Sequence, residues 1–206
     1  DQTDPLAYDA RQLISVPPLV PTPGVINRLS VTAFNEMWYR KVPRLRQGEL
    51  QTIPAYFHPL DAVGGWNRLY GRQGFLQYQF VLPLGAEDVL KTVIERIAGA
   101  RLPIFLNVLK RFGPANPAPL SFPRSGWTLT IDVAAGRPGL SALLGHLDGL
   151  ILDAGGRHYL AKDFQTTPEA IRRGYPRLDE WLAVRERVDP EGVWASDLSR
   201  RLGLTR

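Results

Sequence analysis

Apolar and polar residues alternate most regularly in FLQYQFVLP, at positions 75–83. In an extended chain this pattern places Gln77 and Gln79 on one face and Tyr78 and Phe80 on the other, so it predicts a β-strand. The same reasoning predicts strands over 103–113 and 126–133, and a short strand over 158–160.

Apolar residues recur at helical spacing between and after these strands. Segment 86–99 has acidic residues in its first turn, and segment 139–156 ends at a glycine pair, so both are predicted helices. Further helices are predicted over 30–40, with Ser30 as its cap, and over 168–174, 177–188 and 195–203. Strands and helices do not alternate regularly, which favours an α+β fold with an antiparallel sheet flanked by helices and a helical C-terminal segment.

The chain has 206 residues, of which 44% are hydrophobic, enough to form a sizeable core. It contains no apolar stretch that could span a bilayer and no signal-peptide pattern, so a cytoplasmic or peripheral-membrane location is expected. The proline-rich first 30 residues are interpreted as an irregular lead-in. The absence of cysteine excludes disulfides, thiolate metal ligands and a cysteine nucleophile.

A net charge of +5 favours an anionic partner, which includes nucleic acid, acidic lipid and a phosphorylated substrate. Aromatic residues near Arg68 and the basic segment RKVPRLR (40–46) are compatible with nucleic acid, but acidic residues are spread through the same regions. A nucleic-acid partner is therefore not expected. The three histidines lack metal-ligand spacing, and no metal site is expected.

Polar residues on two predicted strands suggest a binding surface. Gln77 and Gln79 share one face, as do Thr128, Thr130 and Asp132. Amides and hydroxyls that both donate and accept hydrogen bonds suit a sugar-binding wall. By the pattern alone, however, a solvated sheet face explains them more simply.

Two lysines are further candidates. Lys110 is expected on the strand face of Ile104 and Phe112, where it either reaches solvent at the strand end or binds a phosphate group. Lys162 follows Tyr159 just after a helix stop; it either serves a reaction at a cofactor edge or belongs to a charged edge strand, and the residues alone favour the edge strand.

Several longer stretches together carry a resemblance to a known family. They are MWYRK (37–41), FHPLDAVGGWNRLYG (57–71), GFLQYQFVLP (74–83), FLNVLKRFGPANPAPLSFP (105–123), YLAKD (159–163), YPRLDEWLAVRERVDP (175–190) and ASDLSRRLGL (195–204). The chain resembles the oxidase subunits of decaprenylphosphoryl-β-D-ribose 2′-epimerase, which are FAD-linked oxidases of the vanillyl-alcohol-oxidase type. The likeness extends over most of the chain.

This resemblance implies an enzyme that uses FAD to oxidise the C2′ hydroxyl of a polyprenyl-phosphoryl pentose to a ketone, with a short-chain reductase as partner. Residues 1–155 would form the substrate-binding domain with its lead-in. Residues 156–206 would form the C-terminal segment of the FAD-binding domain, whose main part is expected outside this chain. The RKVPRLR loop would be a point of peripheral membrane contact.

The resemblance also implies roles for single residues. Lys162 matches the family's essential active-site lysine, and Tyr159 matches its neighbour beside the flavin. The positions that match the family's substrate pocket are Lys110, Gln77, Gln79, Arg68, Asn107, Val108, Phe112 and Leu60. Strand alternation places Asn107 on the face opposite Lys110 unless a bulge intervenes.

Four pocket positions depart from the best-known members of this family. Thr130 replaces a cysteine, Thr128 an asparagine, Phe57 a tyrosine and Val63 a phenylalanine. A thiol-directed inhibitor is therefore not expected to react at Thr130. The departures favour an alternative, namely an aldonolactone or polyol oxidase of the same superfamily. A non-catalytic module that binds sugar or lipid is a further alternative.

Overall fold

The computed structural model describes residues 12–20, 24–45 and 47–205. Part of the predicted lead-in and Arg46 of the basic segment lie outside these residues. The backbone forms two compact units, of which the first ends at Phe75 and the second begins at Leu76.

The first unit contains short elements. Strand β1 (Ile14–Ser15) pairs in parallel with β2 (Val63–Gly64). Its helices are α1 (Arg28–Lys41) and α2 (Ile53–Phe57), and two 3₁₀ turns span Pro59–Ala62 and Trp66–Tyr70. The ring of Tyr70 is buried and stacks on Phe75 at 4.7 Å between centroids.

The cap of helix α1 lies three residues earlier than predicted. Its cap is Asn27, whose side chain accepts hydrogen bonds from the backbone N–H groups of Leu29 and Ser30. Ser30 Oγ in turn accepts from the N–H of Asn27. The prediction of Ser30 as the cap is therefore wrong, because Ser30 is the reciprocal partner in a capping box that Asn27 opens.

The second unit is built on a four-stranded antiparallel sheet, which confirms the predicted α+β fold. Its strands are β3 (Phe75–Pro83), β4 (Ile104–Phe112), β5 (Gly126–Ala134) and β6 (Arg157–His158), in the order β4, β5, β3, β6. Its helices are α3 (Glu87–Gly99), α4 (Leu140–Asp153), α5 (Pro168–Gly174), α6 (Leu178–Val188) and α7 (Asp197–Arg201). A 3₁₀ turn, Leu160–Lys162, follows β6.

One face of this sheet is apolar and packs against α3 and α4. The buried core comprises Tyr78, Phe80 and Leu82 of β3, Leu129, Ile131 and Val133 of β5, Leu90, Val93 and Ile97 of α3, and Leu140, Leu144, Leu147 and Ile151 of α4. Because successive side chains of a strand point to opposite faces, the intervening residues form a second, polar face.

A β-bulge changes the alternation at the start of β4. Ile104 pairs with Val133, whereas Leu106 pairs with Asp132, so the register shifts between them. Ile104 therefore packs on the core, and the prediction that it shares a face with Lys110 is wrong because the bulge inserts one residue.

A second apolar cluster lies in the C-terminal part of this unit. It consists of Ile171, Tyr175, Leu178, Leu202 and Leu204. The Tyr175 hydroxyl donates a 2.6 Å hydrogen bond to the carbonyl of His158, which connects this cluster to β6.

The predicted domain boundary after residue 155 falls inside the second unit, where β6 pairs with β3. The assignment of residues 156–206 to a flavin domain concerns a larger protein and stays a prediction. Within the described ranges, none of the helices is both long and apolar enough to cross a membrane.

Gly126 permits the close approach of β3 and β5, since a Cβ at this position would lie 1.9 Å from the carbonyl oxygen of Leu82. We expect Gly126→Ala to lower the free energy of unfolding by about 2 kcal/mol, because the two strands must move apart. Urea denaturation monitored by circular dichroism measures the change.

Gly145→Ala in the middle of α4 is the matched control, since a Cβ there meets nothing within 4 Å. It should raise the free energy of unfolding by about 0.5–1 kcal/mol through helix propensity. Equal effects of the two substitutions would contradict the steric explanation.

Candidate functional site

The centre of the polar sheet face is buried, whereas Lys110 on the edge strand is exposed. Relative exposure is 8% for Gln79, 1% for Thr128, 7% for Thr130 and 1% for Asp132. The interpretation of this surface as a solvated sheet face is therefore wrong. Neutral amides and hydroxyls held away from water suit the binding of a polar ligand.

A row of three aromatic rings covers part of this face. Phe112 at the end of β4 meets Phe122 edge to face at 5.7 Å, and Phe122 stacks on Tyr159 at 4.5 Å. Phe122 belongs to the loop between β4 and β5. This loop is held by Arg177, whose guanidinium donates a 2.6 Å hydrogen bond to the carbonyl of Pro117.

Hydrogen bonds fix the polar side chains within the wall. The Gln79 amide donates to Thr128 Oγ1 at 3.0 Å, and this hydroxyl donates to the carbonyl of Phe80 at 2.8 Å. The Gln77 amide donates to Asp132 Oδ1 at 2.9 Å. The second carboxylate oxygen of Asp132 is buried and has no hydrogen-bond partner among the described residues.

Lys162 completes the site from the 3₁₀ turn after β6, where it is partly buried. Burial lowers the pKa of Lys162, the carboxylate of Asp132 opposes this shift, and the ammonium of Lys110 adds to it. Burial raises the pKa of Asp132, against the opposing effects of the Gln77 hydrogen bond and the charge of Lys162. These residues thus form one electrostatically coupled group.

The segment that carries Lys162 is held on both sides. The Tyr159 N–H donates to the Gln79 carbonyl at 2.9 Å, which extends the pairing of β6 with β3. Asp163 Oδ1 accepts from the N–H groups of Gln165 at 3.1 Å and Thr166 at 2.7 Å. Asp163 Oδ2 accepts from Arg201 at 2.7 Å. Lys162 is therefore positioned by neighbours on either side of it in the chain.

A buried polar cluster supports β6 from the core side. The Tyr78 hydroxyl donates to Asp148 Oδ1 at 2.6 Å and lies 3.2 Å from His158 Nε2. His158 Nε2 is 2.9 Å from the same carboxylate oxygen. Burial, followed by the charge of Asp148, raises the pKa of Tyr78 well above its ordinary value. This cluster was not predicted, because its members are separated in sequence by up to 80 positions.

The structure brings most of the predicted site residues together on or over the polar face of the second unit. They are Gln77, Gln79, Val108, Lys110, Phe112, Thr128, Thr130, Tyr159 and Lys162. Lys110 is exposed and lies opposite Thr128 in the register of β4 and β5. Asn107 lies opposite Ile131, on the other face, because the bulge precedes it.

Four predicted pocket residues, Phe57, Leu60, Val63 and Arg68, belong to the first unit. Phe57 ends α2 and is 68% exposed, and Leu60 lies in the following 3₁₀ turn. The guanidinium of Arg68 donates a 2.9 Å hydrogen bond to the carbonyl of Val16. Their assignment to a substrate pocket stays a prediction.

Asp132 is a site residue whose importance the sequence did not reveal. It was assigned to the polar strand face together with Thr128 and Thr130. Its unpaired oxygen and its coupling to Lys162 depend on the packing of three separate segments.

A buried polar sheet face with a partly buried lysine beside it makes the second unit a candidate ligand-binding domain built on an antiparallel sheet. The sequence profile of the D-arabinono-1,4-lactone oxidase family matches residues 75–202, which is most of the chain. The chain therefore belongs to this family.

Three relatives are similar to the chain over part of their own length. The chain is 46% identical over 203 residues to the decaprenylphosphoryl-beta-D-ribose oxidase of Mycolicibacterium smegmatis, covering 98% of the chain and 44% of that protein. It is 37% identical to an uncharacterized protein in the mprA 5′ region of Streptomyces coelicolor, over 97% of the chain and 55% of the relative. It is 26% identical to the L-gulono-1,4-lactone dehydrogenase of Mycobacterium tuberculosis, over 62% of the chain and 30% of the relative.

The first of these comparisons confirms the resemblance to decaprenylphosphoryl-ribose oxidases that the sequence motifs predicted. The chain spans about half or less of the length of each relative.

Asp163 provides a test of how the turn is held. Burial by itself would raise the pKa of Asp163, but hydrogen bonds from Thr166 and Arg201 lower it below its ordinary value. The ionised carboxylate therefore stabilises the folded state above the unfolded-state pKa of about 3.9, and this contribution is lost as the pH falls through the lower folded-state value.

We expect Asp163→Asn to lower the free energy of unfolding by about 2 kcal/mol at pH 7, because the charged hydrogen bond to Arg201 is lost. The difference from the unsubstituted protein should shrink as the pH falls below about 4. Urea denaturation at several pH values measures it. Asp153→Asn is the control, since its side chain is 73% exposed and pairs only with Arg173. A difference independent of pH would contradict the assignment.

Proposed function

We propose that this chain forms the substrate-binding part of an FAD-dependent oxidoreductase that oxidises a secondary hydroxyl of a sugar to a ketone. The observation that carries the proposal is the partly buried ammonium of Lys162 beside a buried wall of amides and hydroxyls. Membership in a family named for a sugar-lactone oxidase supports it.

Each residue has a distinct part in this proposal. Lys162 orients the substrate and stabilises negative charge that develops on the alcohol oxygen as the hydroxyl proton leaves. Gln77 and Gln79 on the polar sheet face bind sugar hydroxyls, and the exposed Lys110 binds a phosphate group at the edge of this face. Thr128 and Thr130 are the polar positions that adjust the fit to a particular sugar.

The residues present fit the edge of a flavin. Among residues 47–205, Lys162 supplies a cation without an ion-pair partner, and Tyr159 supplies an aromatic surface backed by Phe122. When bound, FAD supplies the acceptor of the hydride that leaves the sugar carbon. We propose that its main binding surface lies in a domain matched by the part of the relatives that this chain does not cover.

The favoured substrate is a polyprenyl-phosphoryl pentose. The support is the 46% identity to a relative named as an oxidase of decaprenylphosphoryl-beta-D-ribose. Because that name denotes an oxidase and the resemblance is to one half of an epimerase, a short-chain reductase that acts on the ketone product is the proposed partner.

An aldonolactone or free polyol is the second candidate substrate. The family name and the relative named L-gulono-1,4-lactone dehydrogenase support it, as do the threonines at positions 128 and 130. Comparison of a polyprenylphosphoryl-D-ribose with L-gulono-1,4-lactone as reductants of the enzyme flavin separates the two candidates.

Lys162→Met tests the catalytic part of the proposal. The substitution keeps the length of the side chain and removes its charge, so we expect the rate of flavin reduction by substrate to fall about a hundredfold to a thousandfold. Anaerobic stopped-flow absorbance of the flavin in the intact enzyme measures this rate.

Lys91→Met is the matched control, because Lys91 is 75% exposed and pairs weakly with Glu95 on α3. It should leave the rate unchanged. An unchanged rate in Lys162→Met would show that the catalytic assignment is wrong, and an enzyme without flavin would refute the proposed function.

We further propose peripheral contact with an anionic membrane through the end of α1 and the segment after it. Trp38 is 52%, Tyr39 80% and Leu45 72% exposed, and Lys41 lies over the Trp38 ring at 5.3 Å. Amphipathic aromatic rings beside basic residues are typical of surfaces that bind at the headgroup level of anionic lipids.

Sedimentation with vesicles tests this contact. We expect the intact protein to bind vesicles that contain phosphatidylserine and to be released by high salt, and Trp38→Ser to weaken binding about tenfold. Trp194→Ser is the control, because Trp194 is similarly exposed, at 78%, in the second unit. Equal losses in both variants would refute this surface.

A further inference from the structure

Asp132 differs from the other buried or partly buried aspartates of the second unit. Asp148, Asp163 and Asp189 each accept hydrogen bonds on both carboxylate oxygens. Asp132 accepts one, from Gln77, although it is only 1% exposed. Among residues 47–205, Asp132 is the aspartate that has a buried carboxylate oxygen without a hydrogen-bond donor.

Such an arrangement is costly for the folded protein. A buried charged oxygen without a donor costs at least about 1–3 kcal/mol, since its hydration is lost and not replaced. Replacement of the carboxylate by an apolar group would remove this cost. The unpaired oxygen is therefore interpreted as the partner of a ligand group.

The neighbours of Asp132 define the chemistry of that group. Lys162 and the carboxylate interact through space, and no direct ion pair between them is present among the described residues. A ligand group between them must donate a hydrogen bond to the carboxylate and accept one from the ammonium. A phosphate or carboxylate would be repelled by Asp132, and a ketone has no proton to donate. A sugar hydroxyl satisfies both.

We propose that Asp132 is the residue that accepts the proton of the sugar hydroxyl undergoing oxidation, while Lys162 contacts the same oxygen. This inference rests on the proposed function. The O–H bond breaks and its proton passes to Asp132 Oδ2. The C–H bond on the same carbon breaks and its hydride, with both bonding electrons, passes to the flavin oxidant. The carbon and oxygen are then joined by the second bond of the ketone.

Gln77 is a positioning residue for this step. Its amide donates a 2.9 Å hydrogen bond to Asp132 Oδ1 and so fixes the orientation of the carboxylate, which leaves Oδ2 for the substrate. The burial that raises the pKa of Asp132 also makes its carboxylate a stronger base than an exposed aspartate.

The first test is Asp132→Asn in the intact flavoenzyme. The substitution preserves shape and the acceptor for Gln77, and removes the base. With a short-chain polyprenylphosphoryl-β-D-ribose as probe, we expect the rate of flavin reduction to fall about a hundredfold to ten-thousandfold. Asp153→Asn is the control, since that carboxylate is exposed, and its rate should not change.

A binding measurement without turnover gives an independent readout. The chemically reduced enzyme cannot oxidise the sugar, so calorimetry can compare the ribose probe with its 2-deoxyribose counterpart. The unsubstituted protein should bind the ribose probe about tenfold more tightly, through the bonds from its hydroxyl to Asp132 and Lys162. Asp132→Asn should show a smaller preference, because only the contact with Lys162 remains unchanged.

The pH dependence gives a third readout. The rate of flavin reduction should fall as the pH drops through the raised pKa of Asp132, because the protonated carboxyl cannot accept a proton. This acid limb should be absent from the residual activity of Asp132→Asn. A purely structural role of Asp132 would lower stability and leave the pH profile unchanged.

The outcomes separate this inference from the proposed function. The role of Asp132 alone is overturned if the enzyme reduces its flavin with the ribose probe and its folded Asp132→Asn variant keeps the rate, the acid limb and the preference for ribose over 2-deoxyribose. An enzyme that neither binds nor oxidises any sugar probe would overturn the proposed function as well. If Asp132→Asn does not fold, the unsubstituted enzyme still tests the inference. Absence of both the acid limb of its pH profile and its preference for ribose over 2-deoxyribose would contradict the role of Asp132.

Discussion

Burial of a polar sheet face is the constraint on which the second unit depends. In a two-layer α+β domain, one sheet face packs on helices and the other commonly meets water. Here the second face is covered as well, although it carries glutamine, threonine and aspartate side chains. Each buried polar group then requires a partner, and the bonds from Gln79 to Thr128 and from Gln77 to Asp132 meet most of that requirement.

The same constraint explains why the segment after β6 is held so firmly. A lysine that projects toward buried polar groups must be kept in place against its preference for water. Asp163 and Arg201 hold the turn from the C-terminal side, while Tyr175 holds the carbonyl of His158. The cluster of Tyr78, Asp148 and His158 holds β6 from the apolar face of the sheet. Three side-chain interactions thus position one short turn.

The sequence predicted the elements of the second unit well because their periodicity is local. The strand over 75–83 was placed with its full length, and the α+β class followed from the order of elements. The sequence could not predict the bulge after Ile104, since a single inserted residue leaves no signature in alternation. The start of α1 was missed because Asn27 and Ser30 are both good capping residues three positions apart.

The site could likewise be predicted from the sequence only where it depends on local periodicity. Residues on one strand could be assigned to a common face, but alternation gives no information on whether that face is covered. Burial of Thr128 and Asp132 is a property of the packed structure, in which the loop that carries Phe122 and the turn that carries Lys162 come from distant parts of the sequence. The resemblance identified Lys162 and Tyr159, whereas the unpaired oxygen of Asp132 emerged only from the packed structure.

Alternation along β5 has a consequence for how such a protein can change its ligand. Thr128 and Thr130 lie in the polar wall, and Leu129 and Ile131 lie in the apolar core, on one short strand. Under the proposed function, the positions that select the sugar and those that build the core are therefore interleaved along one strand. A library at residue 130 then varies the polar wall without removing a core residue, whereas a change at residue 128 also removes the hydrogen-bond partner of Gln79.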